Sequence, residues 1–152
     1  MGKKRKTSFV PPKFGTANAH KGFVAIYRDM IDSAAYIALT AHAKEAYTIL
    51  RSQYKGEAYG NTVKCPYNTF EEHGFRRETL AKAIDNLECY GFVEVDRGGL
   101  GHRPSEYTFT DTWKRIVSKD EVKAAEARYT EIQKRKAKAK ENKKEWKENH
   151  TE

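Results

Sequence analysis

The sequence has no long apolar run. No apolar stretch approaches the roughly 20 residues of a membrane-spanning helix, and none follows the basic residues at the start as the core of a signal peptide would. We therefore expect a cytoplasmic protein with no membrane partner. At 152 residues the chain is long enough for one domain with one hydrophobic core.

Cysteine and the usual catalytic spacings are scarce as well. Cys65 and Cys89 lie on different predicted elements without a pairing pattern, so we interpret them as buried or inert thiols. The five histidines show no His-x-His or His-x-x-x-His spacing. The glycine-rich stretch 97–101 lacks the lysine and the following helix of a phosphate-binding loop. We therefore expect no enzyme, no metal and no cofactor.

Charge is abundant and unevenly distributed. Residues 1–22 carry six basic and no acidic side chains, residues 23–113 carry ten basic and 13 acidic ones, and residues 114–152 carry 13 basic and eight acidic ones. Both ends are therefore basic and the middle is slightly acidic. We expect a polyanion to be attracted mainly through the ends, by release of its counterions. The alternative is that the lysine-rich ends only keep the protein in solution.

The composition divides the chain into three parts. Residues 1–22 have no hydrophobic periodicity, and we expect a disordered basic arm there. Residues 23–117 are the expected folded domain. Residues 118–152 are predicted to form a long, basic, charged helix that runs from 119 to about 142 or beyond.

A capping box and a stripe at intervals of seven mark this last helix. Ser118 and Glu121 have the spacing of a capping box. Apolar residues recur every seven positions, but Lys136 and Lys143 continue the row that begins at Val122. We therefore expect a solvated helix whose first turns contact the domain, and no sustained coiled coil.

The middle of the domain has the order helix, glycine turn, helix, hairpin. A short helix is predicted at 68–73, with Asn68 as N-cap and Glu71 as its reciprocal partner. Gly74 forms the turn, and a second helix at 76–90 is ended by Gly91. This second helix has one apolar face with residues spaced by three and four, which consists of Leu80, Ala83, Ile84 and Leu87.

The flanking segments complete an α+β pattern. Thr40 is a suitable N-cap for a helix from 41 to about 55. Short strands are predicted at 62–65, 92–96 and 105–109, with a basic turn-rich loop at 97–104. This order is typical of a winged helix-turn-helix with a small three-stranded sheet. In that fold the second helix enters the DNA major groove, and the hairpin loop contacts backbone or minor groove.

The candidate DNA contacts follow from this arrangement. The outer face of the second helix carries two acids beside the basic candidates. These acids, Glu78 and Asp85, lower the non-specific affinity for DNA. The alternatives are that Arg76 and Arg77 pair with Glu72 or Glu78, and that the loop is an ordinary hairpin loop. The candidates are Arg76, Arg77, Thr79, Lys82 and Asn86 on the helix, Arg97, His102 and Arg103 in the loop, and Lys3, Lys4, Arg5 and Lys6 in the arm.

A further set of residues between 23 and 113 forms a recognisable pattern. It consists of Leu39-Thr40, Ala43-Lys44, Tyr47, Pro66-Tyr67-Asn68, Glu78-Thr79-Leu80, Ala83-Ile84, Leu87-Glu88, Gly91-Phe92-Val93, Tyr107 and Trp113. On these residues the segment resembles a family of small winged-helix proteins of bacterial phages, plasmids and integrative conjugative elements. The chain departs from this family at Arg76, where its members usually have a small N-cap residue.

The resemblance implies double-stranded DNA binding in replication, conjugative transfer or transcriptional control, with other replication or transfer proteins as further partners. The oligomeric state is left open, and a dimer is compatible with the sequence. The competing hypothesis is a protein-interaction adaptor, because the middle is acidic and the second helix carries acids on its outer face. In that case the basic ends would bind nucleic acid non-specifically.

Overall fold

A computed structural model describes residues 23–98 and 103–151. The predicted basic arm and the loop tip with His102 lie outside the described residues. None of the described helices combines the length and the apolar character needed to cross a bilayer.

The described residues form an α+β fold, as predicted. Six α-helices and one three-stranded antiparallel sheet make up this part of the chain, and short 3₁₀ turns occur at Glu57–Tyr59 and Thr112–Arg115. The elements in chain order are α1 (Arg28–Ile31), α2 (Ala34–Ala38), α3 (Ala41–Ser52), β1 (Thr62–Lys64), α4 (Tyr67–Glu72), α5 (Arg77–Cys89), β2 (Val93–Asp96), β3 (Glu106–Phe109) and α6 (Lys119–Asn149). This order is compatible with a winged helix.

Side-chain caps mark the beginning of three of the six described helices, α2, α3 and α6. The Thr40 side chain accepts a hydrogen bond from the Ala43 N–H, as predicted for the start of α3. The predicted Asn68 cap is wrong, because α4 begins one residue earlier, directly after Pro66. Pro66 is itself the N-cap residue, with an extended backbone (φ −69°, ψ 155°), and it has no side-chain acceptor that could cap α4.

Two glycines set the ends of the α4–α5 pair. Gly74 has a φ of +89° and forms the predicted turn between α4 and α5. Gly91 has a φ of +78° and follows the end of α5. A Cβ at Gly91 would lie 2.7 Å from the backbone nitrogen of Trp113, so the position also requires the absence of a side chain. Arg76 precedes α5 but its side chain caps nothing.

The sheet has the order β1-β3-β2, so the strand predicted at 62–65 does pair with the β2–β3 hairpin. Tyr107 is the central residue: it lies opposite Val63 on one side and Val95 on the other. The hydroxyls of Thr62 and Thr108 add a cross-strand hydrogen bond of 2.8 Å.

The core lies where α3, α5 and the sheet meet. Leu50 and Leu87 are fully buried, as is Phe92 just after α5. The ring of Phe92 stacks on Trp113 at 5.8 Å and meets Tyr47 edge-on at 5.6 Å. The prediction that Ile84 and Leu87 face the core is confirmed.

The long helix α6 is joined to this core. Its capping box is formed as predicted, and the backbone N–H groups of Val117 and Ser118 hold the pKa of Glu121 below its usual value. Ala125 is fully buried, and Val122 packs against the same cluster. The first turns of α6 are therefore part of the domain.

We predict that Leu87→Ala lowers the free energy of unfolding by about 2–5 kcal/mol, because it leaves a cavity between α3 and α5. The matched control is Ile37→Ala, whose side chain is 65% exposed. We expect it to cost less than about 0.5 kcal/mol. Denaturant unfolding of both variants measures the difference, and equal costs would contradict the assignment of the core.

Candidate nucleic-acid interface

The outer face of α5 is covered by α6 along its later turns. Three contacts join the helices in succession: Arg128 donates to the Cys89 carbonyl at 3.2 Å, Lys136 pairs with Asp85, and Lys140 lies 3.5 Å from Glu78. Residue numbers rise along α6 as they fall along α5, so the helices are antiparallel. The helix expected to read DNA therefore lies between α3 and α6.

Asp85 is the centre of this contact. Its side chain is 5% exposed, and it accepts hydrogen bonds from Arg97 Nη2 at 3.1 Å, Gln133 Nε2 at 3.0 Å and Lys136 Nζ. Glu88 also binds Arg97, at 2.7 Å. The expectation that Asp85 lies on an open outer face is wrong, because α6 closes over it. The carboxylate joins α5 to both the β2–β3 hairpin and α6.

Asn86 is not available to DNA in this structure. Asn86 is 2% exposed, and its Oδ1 accepts a hydrogen bond from the Thr40 backbone N–H at 3.0 Å. The predicted contact of Asn86 with DNA therefore has no exposed side chain to support it in this structure, and it stays a prediction. The amide instead fixes the start of α3 against α5.

Arg97 also differs from its expected role. Its guanidinium pairs with Asp85 and Glu88, while the side chain stays 54% exposed. Arg103, at the other side of the hairpin, is exposed and forms no ion pair with any described residue.

The beginning of α5 presents the cations that were predicted there. Arg76, Arg77 and Lys82 are exposed, and Thr79 is half-buried. The alternative pairing of the two arginines with Glu72 or Glu78 is not found among the described residues. Arg77 instead lies over the ring of Tyr67, with its Cζ 4.2 Å from the centroid. Tyr67 is itself held by a hydrogen bond from its hydroxyl to the Phe75 carbonyl.

A cleft separates α5 from the hairpin. It has a volume of about 380 Å³ and brings together basic groups from three elements. Its basic lining residues are Arg77, Arg97, Arg103 and Lys136. Because they are close in space, a phosphate in the cleft would meet Arg77 and Arg103 together with Arg97 and Lys136, whose charges are partly offset by Asp85.

A larger groove of about 1240 Å³ separates the beginning of α5 from the second half of α6. Lys82 stands on the α5 side and a series of lysines on the α6 side, and Lys136 lines both depressions. Residues 133–149 carry eight basic and three acidic side chains. Folding therefore places the basic half of α6 beside the basic end of α5.

The cysteines and acids give no sign of a second kind of site. Both cysteines are free, and burial raises the pKa of the Cys65 thiol to about 11. Within the described ranges, no three His, Cys, Asp or Glu side chains are grouped as metal ligands.

The chain matches no protein-family model, and comparison with curated proteins and with solved structures also finds no match. The family resemblance of residues 23–113 stays a prediction.

Sequence reasoning missed the contact of α6 with α5, although a signal for it was present. Glu78 and Asp85 are seven residues apart on the outer face of α5, and lysines at 136, 140 and 143 recur along one face of α6. Opposite charges on facing sides are typical of helices that pack side by side.

We predict that Asp85→Asn lowers the free energy of unfolding by about 1–3 kcal/mol, because two charge-assisted hydrogen bonds are weakened. The cost should stay in this range because Arg97 and Lys136 are half-exposed and can be hydrated. Asp96→Asn, an exposed acid on β2, is the control. If thermal unfolding shows the same loss of stability in both variants, the role of Asp85 is contradicted.

We also predict that iodoacetamide at pH 8 labels Cys89 well before Cys65. The thiolate is the reactive form, and the buried Cys65 thiol, with its pKa of about 11, forms very little of it. Mass spectrometry of the labelled peptides gives the two rates. The unfolded protein serves as control, since both thiols should react there, and equal rates in the folded protein would be the contrary result.

Proposed function

We propose that this chain is a winged helix-turn-helix protein that binds double-stranded DNA and has no enzymatic activity of its own. The order of α4, α5 and the β2–β3 hairpin supports the fold assignment. The resemblance of residues 23–113 supports a role in a mobile genetic element, in replication, conjugative transfer or transcriptional control.

One observation carries the proposal: basic groups from three separate elements line two adjoining depressions at the beginning of α5. They come from α5, the β2–β3 hairpin and α6, and Lys136 belongs to both depressions. The excess of acidic side chains in the middle segment is thus compensated at this surface by α6. A polyanion gains from such a surface by releasing counterions.

The contact of α6 with the later turns of α5 limits the direction from which DNA could approach α5. The later turns of α5 face α6 at Asp85 and Cys89, so they cannot enter a groove while α6 is in place. Arg76, Arg77 and Lys82 are exposed, and they give the beginning of α5 an open cationic end. DNA therefore meets α5 end-on, with Arg103 of the hairpin beside it. The basic arm with Lys3 to Lys6 adds further phosphate contacts in this proposal.

A protein-interaction adaptor is the second candidate, and the covered face of α5 favours it. Asp85 and Glu88 pair with Arg97, which offsets the charge of one cation at this surface. Footprinting on selected sequences separates the two functions. A defined protected site supports DNA reading, whereas binding only through the two basic ends supports the adaptor.

We predict that the double variant Arg77→Ala/Lys82→Ala binds duplex DNA more weakly, with a salt slope reduced by about 1 for each phosphate that the variant no longer neutralises. Both side chains are exposed, so the melting temperature should barely change. The control is Lys55→Ala, an exposed lysine just past α3. Affinity that is unchanged in the double variant would favour the adaptor.

A further inference from the structure

One face of α6 changes its chemistry along its length. Positions spaced by three and four residues form a continuous stripe, which we call the seam. In the first half the seam is mainly apolar and contacts the domain, with Ala125 fully buried. In the second half every seam position is a lysine. The seam residues are Val122, Ala125, Tyr129 and Ile132, followed by Lys136, Lys140, Lys143 and Lys147.

The first two seam lysines have partners on α5. Lys136 pairs with the buried Asp85, and Lys140 lies 3.5 Å from Glu78. Glu78 is in the first turn of α5, which begins at Arg77. Residues of α6 beyond 140 therefore extend past the acids that α5 can offer.

Lys143 and Lys147 continue the same stripe toward the end of α6. Both line the groove between α5 and α6, and neither forms an ion pair with any described residue. Lys82 faces them from α5. Two of the described acids line the groove, Glu78 and Glu141. Glu78 is already paired with Lys140. This end of the groove therefore has an excess of positive charge.

We propose that Lys143 and Lys147, together with Lys82, bind the phosphate backbone of duplex DNA in the groove between α5 and α6. This inference rests on the proposed function and names α6 as a second DNA-binding element. Four residues of α-helix rise about 6 Å. Two lysines one turn apart can therefore meet different phosphates of one strand, whose charges recur about every 3.4 Å along the duplex axis.

The lining of the groove favours a duplex over a single strand. Proteins that hold single strands stack the bases on aromatic rings. Among the described residues that line this groove there is no aromatic side chain. Trp146 is exposed on α6, but its ring stacks on His150 at 4.5 Å and does not line the groove. Lysine ammonium groups around an open groove suit phosphates that stay paired in a duplex.

The test compares two double variants of the full chain with the same change of charge. Lys143→Gln/Lys147→Gln alters the seam, while Lys123→Gln/Lys138→Gln alters exposed lysines of the same helix that lie off the seam and outside the groove. Glutamine has a helix propensity close to that of lysine, so circular dichroism should show equal helix content. Fluorescence anisotropy over a salt series, with one duplex and one of its single strands, measures the affinities and salt slopes.

We expect the seam variant to lower the salt slope for the duplex by about 2, since each phosphate contact contributes about 0.9. The off-seam variant should lower it by less than half as much. If the wild type binds the duplex and both variants weaken it equally, the groove is not a site, although the proposed function stands. If the seam variant loses affinity for the single strand alone, the duplex assignment is overturned. A wild type that binds neither probe overturns the proposed function as well.

Discussion

The candidate interface depends on one buried carboxylate. Asp85 accepts hydrogen bonds from Arg97 of the hairpin and from Gln133 and Lys136 of α6. A carboxylate out of reach of water must be paired, because an isolated charge in a low-dielectric interior is strongly unfavourable. Neither the hairpin nor α6 can leave α5 without exposing that charge. The positions of Arg97 and Lys136 beside α5 therefore follow from the burial of one acid.

The folded structure places the charges differently from what their order along the chain indicates. The segment 23–113 carries three more acidic than basic side chains, yet two of its acids, Asp85 and Glu78, are occupied by lysines of α6. The cations that remain are concentrated around the beginning of α5 and the second half of α6. Along the chain, the positive charge lies in a tail. In the folded structure, it lies on one side of the domain.

The same contact limits what α5 can do. Its inward face, with Leu87, is fixed to α3, and its outward face is fixed to α6 through Asp85 and Cys89. A helix held in this way presents its first turn more readily than its later turns. For a protein that binds DNA, this favours phosphate contacts from several elements over base reading along α5.

The sequence by itself determined the elements whose causes are local. Thr40, the Ser118–Glu121 pair, Gly74 and Gly91 act within a few residues of the chain, and each lies at the predicted boundary. The inward face of α5 was predictable too, since its spacing is a property of one helix. Tertiary structure decided the rest: Asn86 bonds to a backbone N–H 46 positions away, and Asp85 to a lysine 51 positions away. Such partners depend on how distant segments are brought together, which no local pattern encodes, so the outer face of α5 became an internal contact.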